Sequence, residues 1–252
     1  MPVTPAHAAA AWPLHRAMPR LPLAALVIGT WAPDLEYVLH LEARGKFGHT
    51  PAGLVVFCLP ATLVLWAVWR ALIRPALTQL LPPALRRAAE APPPGRHSDV
   101  LPLAVFAALI GAATHILWDG FTHPGGWAVA LIPALERPAF GLWWLPWFSV
   151  LQHISSVVGC AIVAIWIGRE LRRHPAEARR MPPGERARLL RVAAFVAAVT
   201  LLAGGINALF ARGFAPRLGR AAVGGMLGLG IALAAYGVFA RWRAGETPRG
   251  IS

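Results

Sequence analysis

The segment His115-Ile116-Leu117-Trp118-Asp119-Gly120-Phe121-Thr122-His123 carries two imidazoles and a carboxylate four residues apart, at the end of the apolar run Leu101 to Trp118. On a helix, four residues advance about 6 Å and slightly more than one turn, so His115, Asp119 and His123 share a face. Adjacent members of this series could hold one metal ion or bracket two. Ionisable groups are costly inside a membrane, so their presence there marks a functional site.

More donors follow from the same reading. His153 opens a later apolar segment, Gly48-His49-Thr50 closes a short loop, and Pro33-Asp34-Leu35-Glu36 interrupts the first apolar run. Imidazole nitrogens and carboxylate oxygens without cysteine suit zinc, or a similar first-row divalent ion such as manganese. His49, His115, His123, His153, Asp34 and Asp119 suffice for one or two ions with open positions. A two-metal hydrolytic centre would make water nucleophilic near neutral pH. A carboxylate left off the metal, Glu36 or Asp34, would then serve as general base. His40, His97 and His174 have no polar company and receive no role.

The elements that must position these residues are membrane helices. The chain has 252 residues, is 57% hydrophobic with a mean hydropathy of +0.55, and is only 14% charged, against roughly 25% in soluble domains. Five windows reach the approximately 20 apolar residues needed to cross a bilayer: Ala52 to Ile73, Leu101 to Phe121, Ser149 to Gly168, Leu189 to Ala211 and Ala221 to Ala240. A sixth, Leu21 to Leu41, is broken by Pro33-Asp34 and Glu36. The expectation is an all-α polytopic bundle of five or six transmembrane helices, forming one membrane domain over residues 1–252. No cleavage site follows the first apolar run, so the N-terminus is expected to stay attached. Cys58 and Cys160 fall within spans and read as small apolar residues, not as a disulfide.

The net charge of +13 does not indicate nucleic acid, because no basic groove interleaved with stacking aromatics is present. With six spans and a cytoplasmic N-terminus, most of the 24 basic residues fall inside, as the positive-inside rule requires, and both termini are cytoplasmic. His49, His115, His123 and His153, with Asp34 and Asp119, then face outward. The Pro- and Arg-rich stretches 74–99 and 169–188 read as cytoplasmic loops whose arginines meet anionic lipid headgroups. Residues 122–148, with Trp127, Trp143, Trp144 and Trp147, read as an outer interfacial hairpin, either an aromatic belt or a lid over a lipid substrate. Gly224 and Gly228 let helices approach closely, within the chain or across a dimer.

At these residues the chain resembles a group of uncharacterised bacterial integral membrane proteins, domain of unknown function 4184. The resemblance rests on Pro2-x-Thr4-x-x-His7, Ala32-Pro33-Asp34, Gly48-His49-Thr50, His115 through Asp119 to His123-Pro124-Gly125-Gly126-Trp127, and Leu151-Gln152-His153. It covers roughly residues 1 to 240 and implies an inner-membrane location. That group is distantly similar to inner-membrane metal-dependent hydrolases, whose Pro-Asp-x-Asp and Thr-His-Ser motifs correspond to Pro33-Asp34-Leu35-Glu36 and Gly48-His49-Thr50. A looser likeness to zinc-dependent phospholipase C implies phosphoester chemistry. The resemblance also adds His7 as a ligand. The six-span topology places His7 on the inner side, away from the other donors, unless the first apolar run is re-entrant, which its break after about 12 residues permits.

Together these readings describe a membrane-bound metal-dependent hydrolase acting on a lipid-like (phospho)ester at the outer face of the inner membrane. The alternative is a non-enzymatic membrane protein whose His/Asp cluster binds or relays metal ions or protons, or only joins helices.

Overall fold

The computed structural model describes residues 3–82, 85–86, 100–173 and 181–246. The fold is helical. It contains α1 (Thr4–His7), α2 (Ala11–Ala17), α3 (Leu23–Trp31), α4 (Leu35–His40), α5 (Pro51–Thr78), α6 (Val100–Thr122), α7 (Trp127–Leu131), α8 (Trp147–Arg172), α9 (Pro183–Leu209) and α10 (Phe214–Glu246). Five of these, α5, α6, α8, α9 and α10, are long and apolar enough to cross a membrane. The chain is therefore a multi-pass membrane protein.

The sixth window, Leu21 to Leu41, is not a span. After α3 the chain tightens into a 3-10 turn, Ala32–Asp34, before the short α4. Proline at 33 removes a backbone donor and ends the regular helix there. The N-terminal segment is a helical hairpin. Its first arm, α1 and α2, runs along α8: the Val3 N–H donates to Ser156 Oγ, Ala6 meets Gly159, and Trp12 stacks near Trp166 with the Arg169 guanidinium 5.8 Å from its ring. From Ser156 to Arg169 this is about 20 Å of helix. The second arm, α3, returns beside α6. Any side chain at Gly29 would start 2.7 Å from the Ala108 carbonyl oxygen, and one at Gly111 2.5 Å from that of Leu26. Only glycine permits this approach, which sets Thr30 opposite His115.

The single membrane domain expected from the sequence packs as two compact units. The first holds residues 1–36, 45–64 and 95–172 and contains all the donors named above. In the second, comprising residues 37–44, 65–94 and 173–252, α9 and α10 form a close hairpin. Gly224 and Gly228 lie against Ala203 and Val199, so the small-residue pair serves packing within the chain. Asn207 Nδ2 donates to the carbonyls of Leu41 and Arg220.

Helix α5 widens into π turns at Leu54–Cys58 and Trp69–Ile73. Pro60 and Pro75 follow them, and a proline cannot donate to the carbonyl four residues back, so the helix widens ahead of each. Within the Trp-rich segment 122–148, α7 and a 3-10 turn at Pro133–Glu136 precede a short β-hairpin. Strands β1 (Pro138–Ala139) and β2 (Leu142–Pro146) pair antiparallel around Phe140 and Gly141, both with positive φ, as a two-residue hairpin turn of primed type requires. Of the two basic stretches, 74–78 continues α5, 169–172 ends α8 and 183–188 begins α9, while 83–84, 87–99 and 174–180, with His97 and His174, lie outside the described residues.

Candidate metal centre

Each donor is delivered by local structure that the sequence dictates. His115 and Asp119 are successive turns of α6, their closest atoms 3.2 Å apart. Asp34 sits in the 3-10 turn that Pro33 imposes, and α1 presents His7 at the start of the hairpin. His49 comes from the Phe47–His49 turn ahead of α5, where Gly48 packs against the Pro33 carbonyl and Thr50 caps the helix by accepting from the Gly53 N–H.

Four of these side chains close a ring. His49 Nε2 lies 3.6 Å from Asp34 Oδ1 and 3.6 Å from Asp119 Oδ2, while His115 Nε2 lies 3.6 Å from Asp34 Oδ1 and 3.2 Å from Asp119 Oδ2. The other Asp119 oxygen, Oδ1, is 3.4 Å from His7 Nε2, and the His7 and His115 rings stack at 3.8 Å. Asp34 and His115 are 0% exposed, Asp119 6% and His7 7%. His7 Nε2, Asp34 Oδ1, His115 Nε2 and Asp119 Oδ1 are buried without a hydrogen-bond partner.

These groups fit a divalent cation. Ligands 2.0–2.1 Å from a tetrahedral zinc are separated by roughly 3.3–3.4 Å, and the ring contacts of 3.2–3.6 Å bracket that spacing. Two triads, His7 with His115 and Asp119, and Asp34 with His49 and His115, each keep their ligand atoms within 4.8 Å of one another. The far side of two ligands is held. Thr4 Oγ1 donates to Asp34 Oδ2 at 2.6 Å, which leaves Oδ1 facing the ring. His115 Nδ1 lies 2.8 Å from the Thr30 carbonyl. That carbonyl can only accept, so Nδ1 carries a proton and Nε2 is the nitrogen turned to the ring, the arrangement metal-binding histidines use.

His49 and His123 sit at the partly open rim. Burial alone would lower the His49 pKa, but the carboxylates of Asp119 and Asp34 override it and push it up to about 9. Burial holds His123 below the usual imidazole range, against the opposing pull of Asp119. His123 Nδ1 is 3.5 Å from Asp119 Oδ2 and 3.2 Å from the Asp119 carbonyl, while its buried Nε2 has no hydrogen-bond partner.

Seven site residues were expected besides Glu36, and the structure brings together six: His7, Asp34, His49, His115, Asp119 and His123. His153 is not among them. Its ring is exposed on α8, with Nδ1 2.6 Å from the Ser149 carbonyl one turn back. Glu36 faces the loop that carries His49, accepting from the N–H groups of Gly48 at 2.8 Å and Phe47 at 3.4 Å. Two contributors received no role from the sequence. Thr4 is visible in Pro2-x-Thr4-x-x-His7, but Thr30 acts through its carbonyl and leaves no side-chain signal.

Compared with known proteins, the chain matches a domain of unknown function, DUF4184, over residues 1–238, which takes in every residue of the centre. No curated protein and no solved structure matches it.

Proposed function

The chain belongs to the DUF4184 family, and for it we propose a membrane-bound, divalent-metal-dependent hydrolase that acts on a lipid-like ester, most simply a phosphoester. One observation carries the reading. In the same site the contacts of Thr4 and Thr30 close to 2.6 and 2.8 Å, whereas the carboxylate and imidazole atoms facing one another stand 3.2–3.6 Å apart. Hydrogen bonds that only joined helices would close to about 2.7–3.2 Å, a range that only the His115–Asp119 contact reaches, while the other three contacts of the ring stand at 3.6 Å. Ligand atoms held a few tenths of an ångström wider suit a cation at their centre.

Asp34, His49 and His115, with Asp119 Oδ2 alongside, would hold a zinc or manganese ion, and His7 with Asp119 Oδ1 would offer a place for a second. An ion held there would supply Lewis acidity and lower the pKa of a bound water. Thr4 and the Thr30 carbonyl orient their ligands, and Glu36, engaged by two backbone N–H groups, fixes the His49 loop instead of acting as base. His123, at the rim with Nε2 unengaged, is placed to take a proton from water and return it to the leaving group. The hydrolase reading also draws on the likeness of Pro33-Asp34-Leu35-Glu36 and Gly48-His49-Thr50 to motifs of inner-membrane hydrolases.

With five crossings, residues 1–50 and 123–146 would share one side, since two spans separate them. Arg70 to Arg96, Arg169 to Arg191 and Arg241 to Arg249 gather toward the other, which is therefore the cytoplasmic side. In this reading the centre and the N-terminus would face outward and the C-terminus would be cytoplasmic, whereas a six-span topology has two cytoplasmic termini.

The deciding experiment is elemental analysis of detergent-purified protein beside a His115→Ala/Asp119→Ala double variant of equal chromatographic behaviour. Stoichiometric zinc or manganese lost in the variant, with metal-dependent release of headgroup from phospholipid esters, is the expected result. Absence of metal after reconstitution with divalent ions removes the mechanism.

A further inference from the structure

Beside the centre, the first unit contains a cleft of about 350 Å³. Ala9 and Ala10 after α1 form one wall, Leu117 and Trp118 of α6 a second, and Val158 and Ile162 of α8 a third, while His7 belongs to both the lining and the centre. The cleft exists because small residues meet large ones. Gly159 lets α8 close onto Ala6, and the alanines that follow are too short to fill the space between α6 and α8.

We propose that this cleft receives one hydrocarbon chain of the lipid whose ester bond lies at the metal centre, an inference that rests on the lipid-ester reading above. Two observations select a hydrocarbon chain. Apart from Thr114 and Ser155 the walls are apolar, and two belong to membrane-spanning helices, with Leu117 56%, Trp118 43% and Val158 49% exposed. In a bilayer what surrounds those spans is acyl chain, so a chain can enter sideways. The volume is at the low end of the 300–1,000 Å³ of small-molecule sites. With a methylene taken as about the 30 Å³ that a water occupies in the liquid, it holds roughly ten to twelve carbons. Because the bilayer is as apolar as the cleft, burial there adds little affinity. What the cleft supplies is register: a chain lying against Ala10 and Ile162 sets its ester end beside His7 and Asp119.

The test uses the full chain in phosphatidylethanolamine vesicles doped with phosphatidylglycerol that carries a diazirine near the end of one acyl chain of about ten to twelve carbons. After irradiation, adducts are mapped by peptide mass spectrometry, and zinc content is measured on the same sample. Adducts are expected to concentrate severalfold on Leu117, Trp118, Val158 and Ile162 over Val157 and Ile165, which are exposed on the same helix, α8. Ala10→Phe, which fills the cleft from its partly exposed wall, should remove that excess without changing zinc content. Equal labelling of Val157 and Val158 in the wild type, or labelling indifferent to Ala10→Phe, overturns the proposal. Cleft labelling in protein that binds no metal overturns the catalytic reading and leaves the chain site standing.

Discussion

Replacing Thr4 by valine removes one oxygen from a site where that oxygen touches no proposed metal position. Thr4 Oγ1 donates to Asp34 Oδ2 at 2.6 Å, and Asp34 is fully buried. A hydrogen bond to a charged group contributes about 1.5–3 kcal/mol. Separately, loss of a group that orients a metal ligand typically weakens metal affinity 10–100-fold, which corresponds to roughly 1.4–2.7 kcal/mol. The two routes agree, so Thr4→Val should raise the zinc dissociation constant by about one to two orders of magnitude. Valine matches threonine in shape, and helix packing should persist. Thr4→Ser keeps the donor and should bind nearly as the wild type does. The assay is competition against a zinc-responsive fluorescent chelator in detergent micelles, with thermal unfolding followed in parallel. A Thr4→Val constant within about threefold of wild type, or an equal loss in Thr4→Ser, refutes the assignment of Thr4 as the group that aims Asp34.

Other perturbations separate the remaining parts of the argument. Gly29→Val places a branched side chain 2.7 Å or less from the Ala108 carbonyl oxygen. It should cost about 1–3 kcal/mol of stability by overpacking and weaken zinc binding by moving Thr30 off His115. Gly228→Val, in the α9–α10 pair, should lower the melting temperature and leave zinc affinity unchanged; equal effects on zinc would show that the site does not depend on the α3–α6 approach. In metal-stripped protein, the His49 pKa is raised to about 9 by Asp34 and Asp119. Its contribution to stability is fully present below the ordinary imidazole pKa and is lost as pH rises through 9. The melting temperature of that form should fall between about pH 6.5 and 9, a decline that His49→Gln should flatten. Impermeant thiol reagents applied to sealed cells should reach a cysteine introduced at Val3 and miss one introduced at Gly245; labelling of both from one side would contradict the five-span orientation.

The parts of the centre legible in the sequence are those whose spacing is local. That His115 and Asp119 share a face was legible because the four-residue period of a helix needs no partner to be recognised. His49 and Asp34 were legible as polar residues at breaks in apolar runs. His7 stood in conflict for a definite reason: the resemblance put it with the other donors, but Leu21 to Leu41 has the length of a span, and counting it as one separates the N-terminus from them. Pro33 signals the break, but hydropathy does not register that the chain doubles back. Two close contacts at Gly29 and Gly111 make it do so, and contacts between residues about 80 apart leave no local pattern. His153 erred in the other direction. Helical periodicity predicts which residues share a face, not which face turns inward, and α8 turns His153 outward. Glu36 was read by its chemistry, but its carboxylate is held by the Gly48 and Phe47 N–H groups.

A relay of protons or metal ions would need the polar series to continue through the unit, and the packing on the far side of the centre argues against it. Among the described residues, the α3–α6 contact running from Thr30 and His115 toward the basic ends of the spans is filled by Ala25, Leu26, Ala104, Ala107 and Ala108, each 0–1% exposed. Gly29 and Gly111 bring the two backbones together in the same stretch, leaving no room for a water file. An ion leaving His115 in that direction would shed its ligands into hydrocarbon, with no side chain to replace them. The other side is open: His49 and His123 are 20% and 25% exposed at their side chains, and the apolar cleft begins at His7. A centre closed toward one face and reached from the other suits a reaction in which substrate and product use the same entrance. Proteoliposomes loaded with a zinc-sensitive dye should therefore show no more zinc entry than protein-free vesicles, with or without a proton gradient. Zinc entry that saturates with concentration and disappears in Asp119→Asn would reverse this argument and make the cluster a pathway.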